Sequence, residues 1–298
     1  QTKVRTGSSV STYIRDYLLA NGGKETAKST WCPSGKNKKD DDKNDIAGTC
    51  DGGFKDYPSA FEGDFLTYNL NLGWSYNTLN RPIFPTSGMS HRVGLEVGLP
   101  GSDVDYQKLT YDAQAFKSLP KGFVWRGYGK LGFGNDLPFY KNFYAGGYGS
   151  VRGYDNSSLG PKYPSVIFQE TGRNDPAREK VGGNALIQFG TELALPLPFK
   201  GDWARQVRPV LFAEGAQVFD TKCDVPSGNI LVNSSNVDIK QYCKDNYNFN
   251  FDNMRYSVGV GFTWITMIGP LSLSYAFPLN DKKGDDTKSI QFEIGRTF

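Results

Sequence analysis

One arginine stands in a stretch of glycine, serine and tyrosine, and it is the first candidate for chemistry. Residues Gly146–Pro161 read GGYGSVRGYDNSSLGP, with Arg152 near the middle. A phosphate site would need the Gly-Lys-Ser/Thr ending of a P-loop, or G-x-G-x-x-G between a strand and a helix. Neither pattern is present, so this stretch alone leaves open a surface loop with a solvated charge.

The four cysteines form two local pairs, Cys32 with Cys50 and Cys223 with Cys243, each in a polar stretch. Loop chemistry favours disulfides within each pair, and disulfides indicate an oxidising compartment. A metal site is disfavoured because neither pair has C-x-x-C spacing and the only histidine, His91, is distant in sequence. The sequence therefore predicts two disulfides, no metal and no cofactor.

Composition narrows the function classes. A net charge of +3, from 34 basic and 31 acidic residues, gives no indication of nucleic-acid binding. His91 has no serine or cysteine motif near it, so we interpret it as an ordinary strand-end residue and expect no enzyme activity. No apolar stretch approaches the roughly 18 residues of a membrane-spanning helix. A soluble β-sandwich and a membrane β-barrel both remain open.

The elements that would position these residues are strands with one apolar and one polar face. In Tyr256–Trp264, Tyr, Val, Val, Phe and Trp alternate with Ser, Gly, Gly and Thr. Related patterns occur at Phe65–Tyr76, Arg92–Leu99, Lys108–Phe116, Phe123–Phe133, Asn184–Leu197, Val207–Phe219, Leu271–Phe277 and Ile290–Phe298. With a weaker candidate at Thr2–Tyr13, the chain is predicted to have about ten strands and no helix.

The polar faces decide between the two architectures. They consist largely of Gly, Ser, Thr and Asn, which suit a crowded or watery lumen better than a soluble surface. Strands of about 9 to 11 residues match the span of a tilted membrane strand. Long polar connections alternate with short ones, and the long ones are Ala20–Gly63, Phe139–Gly183, Asp220–Asn253 and Leu279–Ser289. We predict an all-β, antiparallel transmembrane β-barrel with its long loops and both cysteine pairs outside.

Several stretches resemble the BamA family of outer-membrane protein assembly factors of Gram-negative bacteria. They include NRPIFPTSG at Asn80–Gly88, the ending IQFEIGRTF, and VRGY within its glycine loop. Porins and soluble β proteins do not carry this VRGY segment, although related transport barrels do. The resemblance implies a sixteen-stranded barrel preceded by periplasmic POTRA domains. Residues 1–298 would be the C-terminal portion of that barrel, about its last ten strands. An even number of strands would place both termini on the periplasmic side.

The resemblance also gives Arg152 a role. It implies that the loop folds back into the lumen, with Val151, Arg152, Gly153 and Tyr154 near its tip. Because an unpaired buried guanidinium is costly, Arg152 should bind carboxylates. Glu192, on the polar parity of its strand, is the better-supported partner, and Glu214 is the second.

This loop motif has two interpretations. In the first, Arg152 locks the loop and sets the barrel shape, while Gly153 permits a tight turn and Tyr154 packs against the wall. In the second, Arg152 makes an ordinary buried salt bridge. The motif favours the lock.

The C-terminal strand has two interpretations as well. Any outer-membrane barrel can end in an aromatic strand, but in the resembled family this strand is one side of a lateral seam. Weak pairing there would open an edge that templates an incoming strand. The seam residues would be Phe292, Ile294, Gly295 and Phe298, with a kink at Gly295.

The predicted function is assembly: folding and inserting outer-membrane β-barrel proteins through the seam. The expected partners are unfolded client proteins, the lipid bilayer, and lipoprotein subunits that bind the family's POTRA region. A two-partner secretion transporter would share the VRGY loop, and a passive porin-type channel would share the polar lumen. Asn80–Gly88 and the C-terminal ending favour the assembly factor.

Overall fold

The computed structural model describes residues 2–5, 12–31, 37–38, 49–50, 55–163, 179–197, 206–222, 230–232, 235–237, 249–267, 269–282 and 285–295. Within these residues lie one α-helix, α1 (Thr12–Ala20), and twenty strands. The first ten are β1 (Thr2–Arg5), β2 (Lys24–Trp31), β3 (Asn37–Lys38), β4 (Thr49–Cys50), β5 (Lys55–Phe65), β6 (Asn69–Asn77), β7 (Gly88–Gly98), β8 (Gln107–Ser118), β9 (Val124–Asn135) and β10 (Gly153–Tyr154). The others are β11 (Lys162–Tyr163), β12 (Glu179–Lys180), β13 (Ala185–Ala194), β14 (Val207–Phe219), β15 (Ile230–Val232), β16 (Ser235–Val237), β17 (Arg255–Thr266), β18 (Gly269–Pro278), β19 (Thr287–Lys288) and β20 (Ile290–Ile294).

Nine strands form one antiparallel sheet. Each of them pairs with the preceding and the following strand of this same sheet, in the order β6, β7, β8, β9, β13, β14, β17, β18 and β20. Its polarity is inverted relative to a soluble protein. In β17, Ser257 and Thr263 are buried while Val258, Val260 and Trp264 are exposed. An apolar outer face and a polar inner face are those of a membrane barrel. The predicted all-β, antiparallel transmembrane barrel is therefore confirmed.

The barrel wall is an open arc. Its two edges are β6 and β20, and no ladder joins them in the described part of the chain. At one end of the arc lie the long connections 136–184, 220–254 and 279–289, and at the other lie the short connections 119–123 and 267–268. We call these the long-connection end and the short-connection end. In the described residues no helix is long and apolar enough to cross a membrane.

The N-terminal region differs from the sequence prediction. The strand predicted at Thr2–Tyr13 is confirmed at Thr2–Arg5 and wrong at its last two residues, and the predicted absence of helices is wrong, because Thr12–Ala20 is helical. Ile14 and Leu18, four residues apart, are buried on one face of this helix, which is the helical period rather than that of a strand. The Gly23 N–H donates to the Leu18 carbonyl at 2.7 Å and ends the helix.

The predicted strand Phe65–Tyr76 is two strands. β5 ends at Phe65 and belongs to a separate sheet of order β1, β5, β2, whereas β6 begins at Asn69. Side chains from the next loop interrupt the strand, since Leu66 N donates to Asp103 at 2.6 Å and Tyr68 N donates to Ser102 at 2.9 Å. The predicted connection 20–63 thus contains strands.

The two ends of the described chain lie at opposite ends of the arc. Thr2 pairs with Phe65, close to the start of β6 at the long-connection end. Ile294 pairs with Leu271, next to the short connection 267–268. Nine sheet strands, rather than ten, explain the difference, since a chain that makes an odd number of antiparallel strands starts at one end of the arc and finishes at the other. The expectation of both termini on one side rested on the count of ten.

An apolar core lies inside the arc toward its long-connection end. There the loop between β9 and β13 packs against the inner face of the wall and against α1. The buried members are Ile14, Leu18, Phe65, Val104, Tyr106, Leu137, Phe143, Ala145, Val151, Tyr154, Leu159, Leu186, Ala216 and Val218. This core places the VRGY segment inside the lumen.

Candidate functional site

The loop that carries Arg152 enters the lumen through a tight glycine turn. Gly146 and Gly147 have φ of +104° and +90°, and a β-carbon would collide with Asp155 at the first and with Asn156 at the second. Only glycine combines this conformation with so close an approach. Ser150 stabilises the turn by accepting a hydrogen bond from Gly146 N at 3.2 Å. The glycines therefore shape the loop.

Arg152 is 2% exposed and binds two carboxylates from neighbouring wall strands. Its Nε and Nη2 donate to Glu214 Oε1 at 2.9 and 2.6 Å, and its backbone N–H donates to Glu214 Oε2 at 2.8 Å. Nη2 also donates to Glu192 Oε1 at 2.6 Å. Burial lowers the pKa of Arg152, but the two carboxylates outweigh it and the net pKa is raised. The guanidinium therefore stays charged.

A second arginine balances the charges. Arg126 Nη1 donates to Glu192 Oε2 at 2.9 Å, and Arg126 Nη2 donates to Gln114 at 3.0 Å. Two arginines thus face two glutamates, and the Tyr128 hydroxyl donates a further hydrogen bond to Glu214. A buried ion cluster of zero net charge avoids the large cost of a lone buried charge. We call Arg126, Arg152, Glu192 and Glu214 the lumen ion cluster.

The structure brings Arg152 together with both carboxylates named from the sequence, but in the reverse order of importance. Glu214 accepts three hydrogen bonds from Arg152, whereas Glu192 accepts one and is shared with Arg126. The sequence favoured Glu192 because β14 alternates poorly. The alternation of β14 is poor because inward-facing Phe212 and Ala216, on either side of Glu214, are themselves buried apolar residues. Apolar residues on both faces of β14 hide its period.

Sequence reasoning missed Arg126, Tyr128 and the aromatic support of Arg152. The Arg152 guanidinium lies 3.5 Å from the centroid of the Phe212 ring, and that of Arg126 lies 4.4 Å from the centroid of Tyr128. One signal was available, since Arg126 shares the inward parity of β9 and pairs directly with Glu192 in β13. Opposite charges at paired positions of one face stabilise a sheet.

The loop tip is also bonded to the C-terminal part of the sheet. Gly153, with φ of +93°, pairs with Lys288 through the short β10 and β19 ladder. The buried Gln291 side chain of β20 donates to the Tyr154 carbonyl at 2.6 Å. Burial raises the pKa of Tyr154 to about 12, so its hydroxyl is neutral at physiological pH. The tip therefore joins the lumen ion cluster to β19 and β20.

Within the described residues, the C-terminal strand is held by few contacts. β20 pairs with β18 at five positions, whereas β17 pairs with β18 at ten. Phe292 and Ile294 are more than half exposed on the outer face. β20 ends at Ile294, and Gly295 follows with φ of +87° and a hydrogen bond from its N–H to the Pro270 carbonyl at 2.9 Å. Phe298 lies outside the described residues.

The remaining candidates from the sequence are the cysteines and the histidine. Cys32, Cys223 and Cys243 lie outside the described residues, and only the backbone of Cys50 is described, so both disulfides stay predictions. His91 Nδ1 lies 2.8 Å from the Tyr111 hydroxyl, between neighbouring strands. In the described residues no three His, Cys, Asp or Glu side chains group as a metal site would require.

Comparison with known proteins decides the family. Residues 33–298 match the Omp85 superfamily domain. The chain belongs to the Omp85 superfamily. This Omp85 chain is 35% identical over 240 residues to outer membrane protein assembly factor BamA of Neisseria meningitidis, covering 78% of the chain and 29% of that relative. It is 28% identical to the sorting and assembly machinery component 50 homolog of Homo sapiens, covering 79% of the chain and 46% of that protein.

A solved structure agrees with these sequence relationships. The crystal structure of BamA from Haemophilus ducreyi lacking POTRA domains 1–3 superimposes with a TM-score of 0.65 and 31% sequence identity. The alignment covers 82% of this Omp85 chain and 44% of that one. The resemblance to the BamA family is therefore confirmed, and the chain spans less than half the length of these relatives.

Proposed function

We propose that residues 1–298 are the C-terminal barrel portion of an outer-membrane protein assembly factor, which folds and inserts client β-barrels through a lateral seam without covalent chemistry. The observation that carries this proposal is the loop tip of Arg152, which joins the lumen ion cluster to β19 and β20. The names of the relatives in bacteria and animals support assembly. Neither a secretion transporter nor a passive channel is favoured by these relatives.

The proposed seam uses the outer edge of β20. In the described part of the chain β20 pairs only with β18, so the N–H and C=O groups of its other edge point sideways. Such an edge can add an extended client strand by main-chain hydrogen bonding. Its five paired positions resist opening less than the ten between β17 and β18.

The lumen ion cluster would act as the lock. It fixes the loop to β13 and β14, and the loop fixes β19 and β20 through Gly153 and Tyr154. A change that weakens or strengthens the contacts of this loop tip would change how firmly β20 is held, while β13 and β14 remain in place. Arg152 is therefore proposed as a positioning residue for the seam.

The exposed apolar outer face, including Val260 and Trp264, makes the lipid bilayer a direct partner. We place the long-connection end outside and the end of β20 in the periplasm. Clients would be unfolded outer-membrane proteins, and lipoprotein subunits would bind POTRA domains of the full-length protein.

The test compares the full-length protein with its Arg152→Ala variant in liposomes. The folding of a client barrel is followed by its heat-resistant gel shift, while membrane conductance is recorded. We expect the protein to accelerate client folding, Arg152→Ala to suppress the acceleration, and Lys130→Ala to leave it unchanged. Lys130 is a suitable control because it faces the same lumen and pairs only loosely with Asp112, at 3.8 Å. Large conductance with client folding no faster than in empty liposomes would favour the channel instead.

A further inference from the structure

The connection between β6 and β7 has a defined structure of its own. We call Leu79–Ser87 the floor turn. The Asn80 side chain accepts hydrogen bonds from Thr86 N at 3.0 Å and Ser87 N at 3.3 Å, and donates to Thr86 Oγ1 at 2.8 Å. Two prolines limit the backbone further, since each fixes its own φ. The floor turn is therefore rigid before it makes any other contact.

This turn reaches across the inside of the arc at the short-connection end. The Ser118 hydroxyl of β8 donates to the Thr86 carbonyl at 2.9 Å. Both terminal nitrogens of Arg208, in β14, donate to the Pro85 carbonyl at 3.1 Å. Since β9 and β13 separate β8 from β14 in the sheet, the turn spans a chord of the arc rather than following its rim.

The apolar side of the turn covers a second buried cluster. Leu79 packs against a cluster of inward-facing residues from five wall strands. The members of this cluster are Phe116, Val124, Ala194, Val210, Phe212 and Ala276. Farther along, Pro82, Ile83, Phe84 and Pro85 meet Thr263, Ile265 and Pro270 of β17 and β18 around a gap of about 10 Å³. A buried apolar cluster inside a polar lumen needs a cover, and the floor turn provides it.

Little room remains between the floor turn and the lumen ion cluster. The space bounded by Pro85, Arg126, Glu192 and Arg208 holds about 10 Å³. A single water molecule needs roughly 10–15 Å³ measured in this way. By contrast, the polar cavity beside Arg152 and Tyr148 has a volume of about 530 Å³. The lumen thus narrows from a chamber with room for many water molecules to a nearly closed layer at the turn.

Arg208 holds the floor turn against the wall. Its guanidinium lies 5.4 Å from the Phe84 ring centroid and 6.0 Å from that of Phe116, and its described hydrogen bonds go to the Pro85 carbonyl. A partly buried guanidinium that loses this acceptor must recover its hydration. The Pro85 carbonyl of the floor turn supplies this acceptor.

We propose that the floor turn is a permeability barrier that closes the short-connection end of the lumen beneath β8 to β18. The barrel then holds a water-filled chamber without conducting through this side. The inference does not depend on client assembly, because it concerns solute flow alone.

The test is the conductance of the full-length protein in planar bilayers, with Phe84→Gly as the main variant. Phe84 has φ of +50°, a conformation that glycine accepts readily, so the substitution removes the ring and leaves the turn able to form. Lys121→Gly is the matched control, because Lys121 also has a positive φ, of +62°, and lies exposed in another short connection. We expect a several-fold rise in ion conductance for Phe84→Gly and none for Lys121→Gly.

A second variant, Ser118→Ala, guards against a folding defect. It removes one hydrogen bond to the turn and should raise conductance in the same direction by a smaller factor. Each variant is first checked for the heat-dependent gel shift of a folded barrel. Unchanged conductance in folded Phe84→Gly, or an equal rise in Lys121→Gly, would overturn the proposal. Should Phe84→Gly fail to fold, unchanged conductance in Ser118→Ala would overturn it.

Discussion

The lumen loop and the C-terminal strand are held in opposite ways. Arg152 is almost fully buried and makes four hydrogen bonds to two carboxylates. β20 pairs at five positions, exposes Phe292 and Ile294, and is followed by a glycine with positive φ. Regions with few buried contacts open at low free-energy cost, while well-packed ones open only globally. The molecule thus places a firmly held loop beside a weakly paired edge strand, and joins them through Tyr154 and Gln291.

Removing the Arg152 guanidinium should have the largest effect on barrel stability. Arg152→Met leaves Glu214 and Glu192 buried beside only one arginine, and breaking a buried ion pair costs about 3–5 kcal/mol. We expect a marked loss of barrel stability, measured as the temperature at which the heat-dependent gel shift is lost in detergent. The double variant Arg152→Met with Glu214→Gln restores the charge balance and should recover part of that loss. A double variant with the summed loss of the two single ones would contradict this account.

The two carboxylates should differ in the order that the geometry gives. Glu214→Gln disturbs three hydrogen bonds from Arg152 and one from Tyr128, whereas Glu192→Gln disturbs one from Arg152 and one from Arg126. We expect the Glu214 variant to lose more stability, with each loss on the order of 1–3 kcal/mol. The same gel-shift melting assay measures both. A larger loss for Glu192→Gln would show that the shared position, not the number of bonds, sets how firmly the loop is held.

Much of this contrast could be anticipated from the sequence. Period-2 alternation located the wall strands, because each residue of a membrane strand faces either lipid or lumen. The same parity placed Glu192 on the inner face, and the polar lumen required acceptors for Arg152. Gly295 stood out as the glycine nearest the C-terminus in a strand pattern.

Other features depend on contacts that no local pattern encodes. The helix Thr12–Ala20 is short, and its Tyr17 ring meets the rings of Phe65 and Phe139, far along the chain. The break before Asn69 depends on Asp103 and Ser102 of another loop. The contact between Pro85 and Arg208 joins residues 123 positions apart. Tertiary contacts of this kind override local periodicity.

Breaking the hydrogen bond between the loop tip and β20 should have an intermediate effect on stability. Gln291→Leu removes the hydrogen bond to the Tyr154 carbonyl and leaves that buried acceptor unpaired, at a cost of about 1–3 kcal/mol. We expect faster amide hydrogen exchange in β20 and unchanged exchange in β17. Phe292→Leu is the control, since Phe292 faces outward on the same strand. Equal acceleration in both variants would mean that the loop does not stabilise the edge.

The smallest effect on stability should come from substitution of Gly295. This substitution tests the backbone conformation alone, without a change in side-chain packing. A β-carbon at Gly295 would meet no atom within 4 Å, so Gly295→Ala costs only the strain of a positive φ, roughly 1–2 kcal/mol. Gly101 is a matched control at the long-connection end, with φ of +92° and equally open space. Both alanine variants should lose similar stability. If the edge of β20 receives clients, only Gly295→Ala should also slow client folding in liposomes, because alanine resists the bend that ends the strand. Equal rates of client folding in the two variants would mean that Gly295 only forms a turn and has no role in client folding.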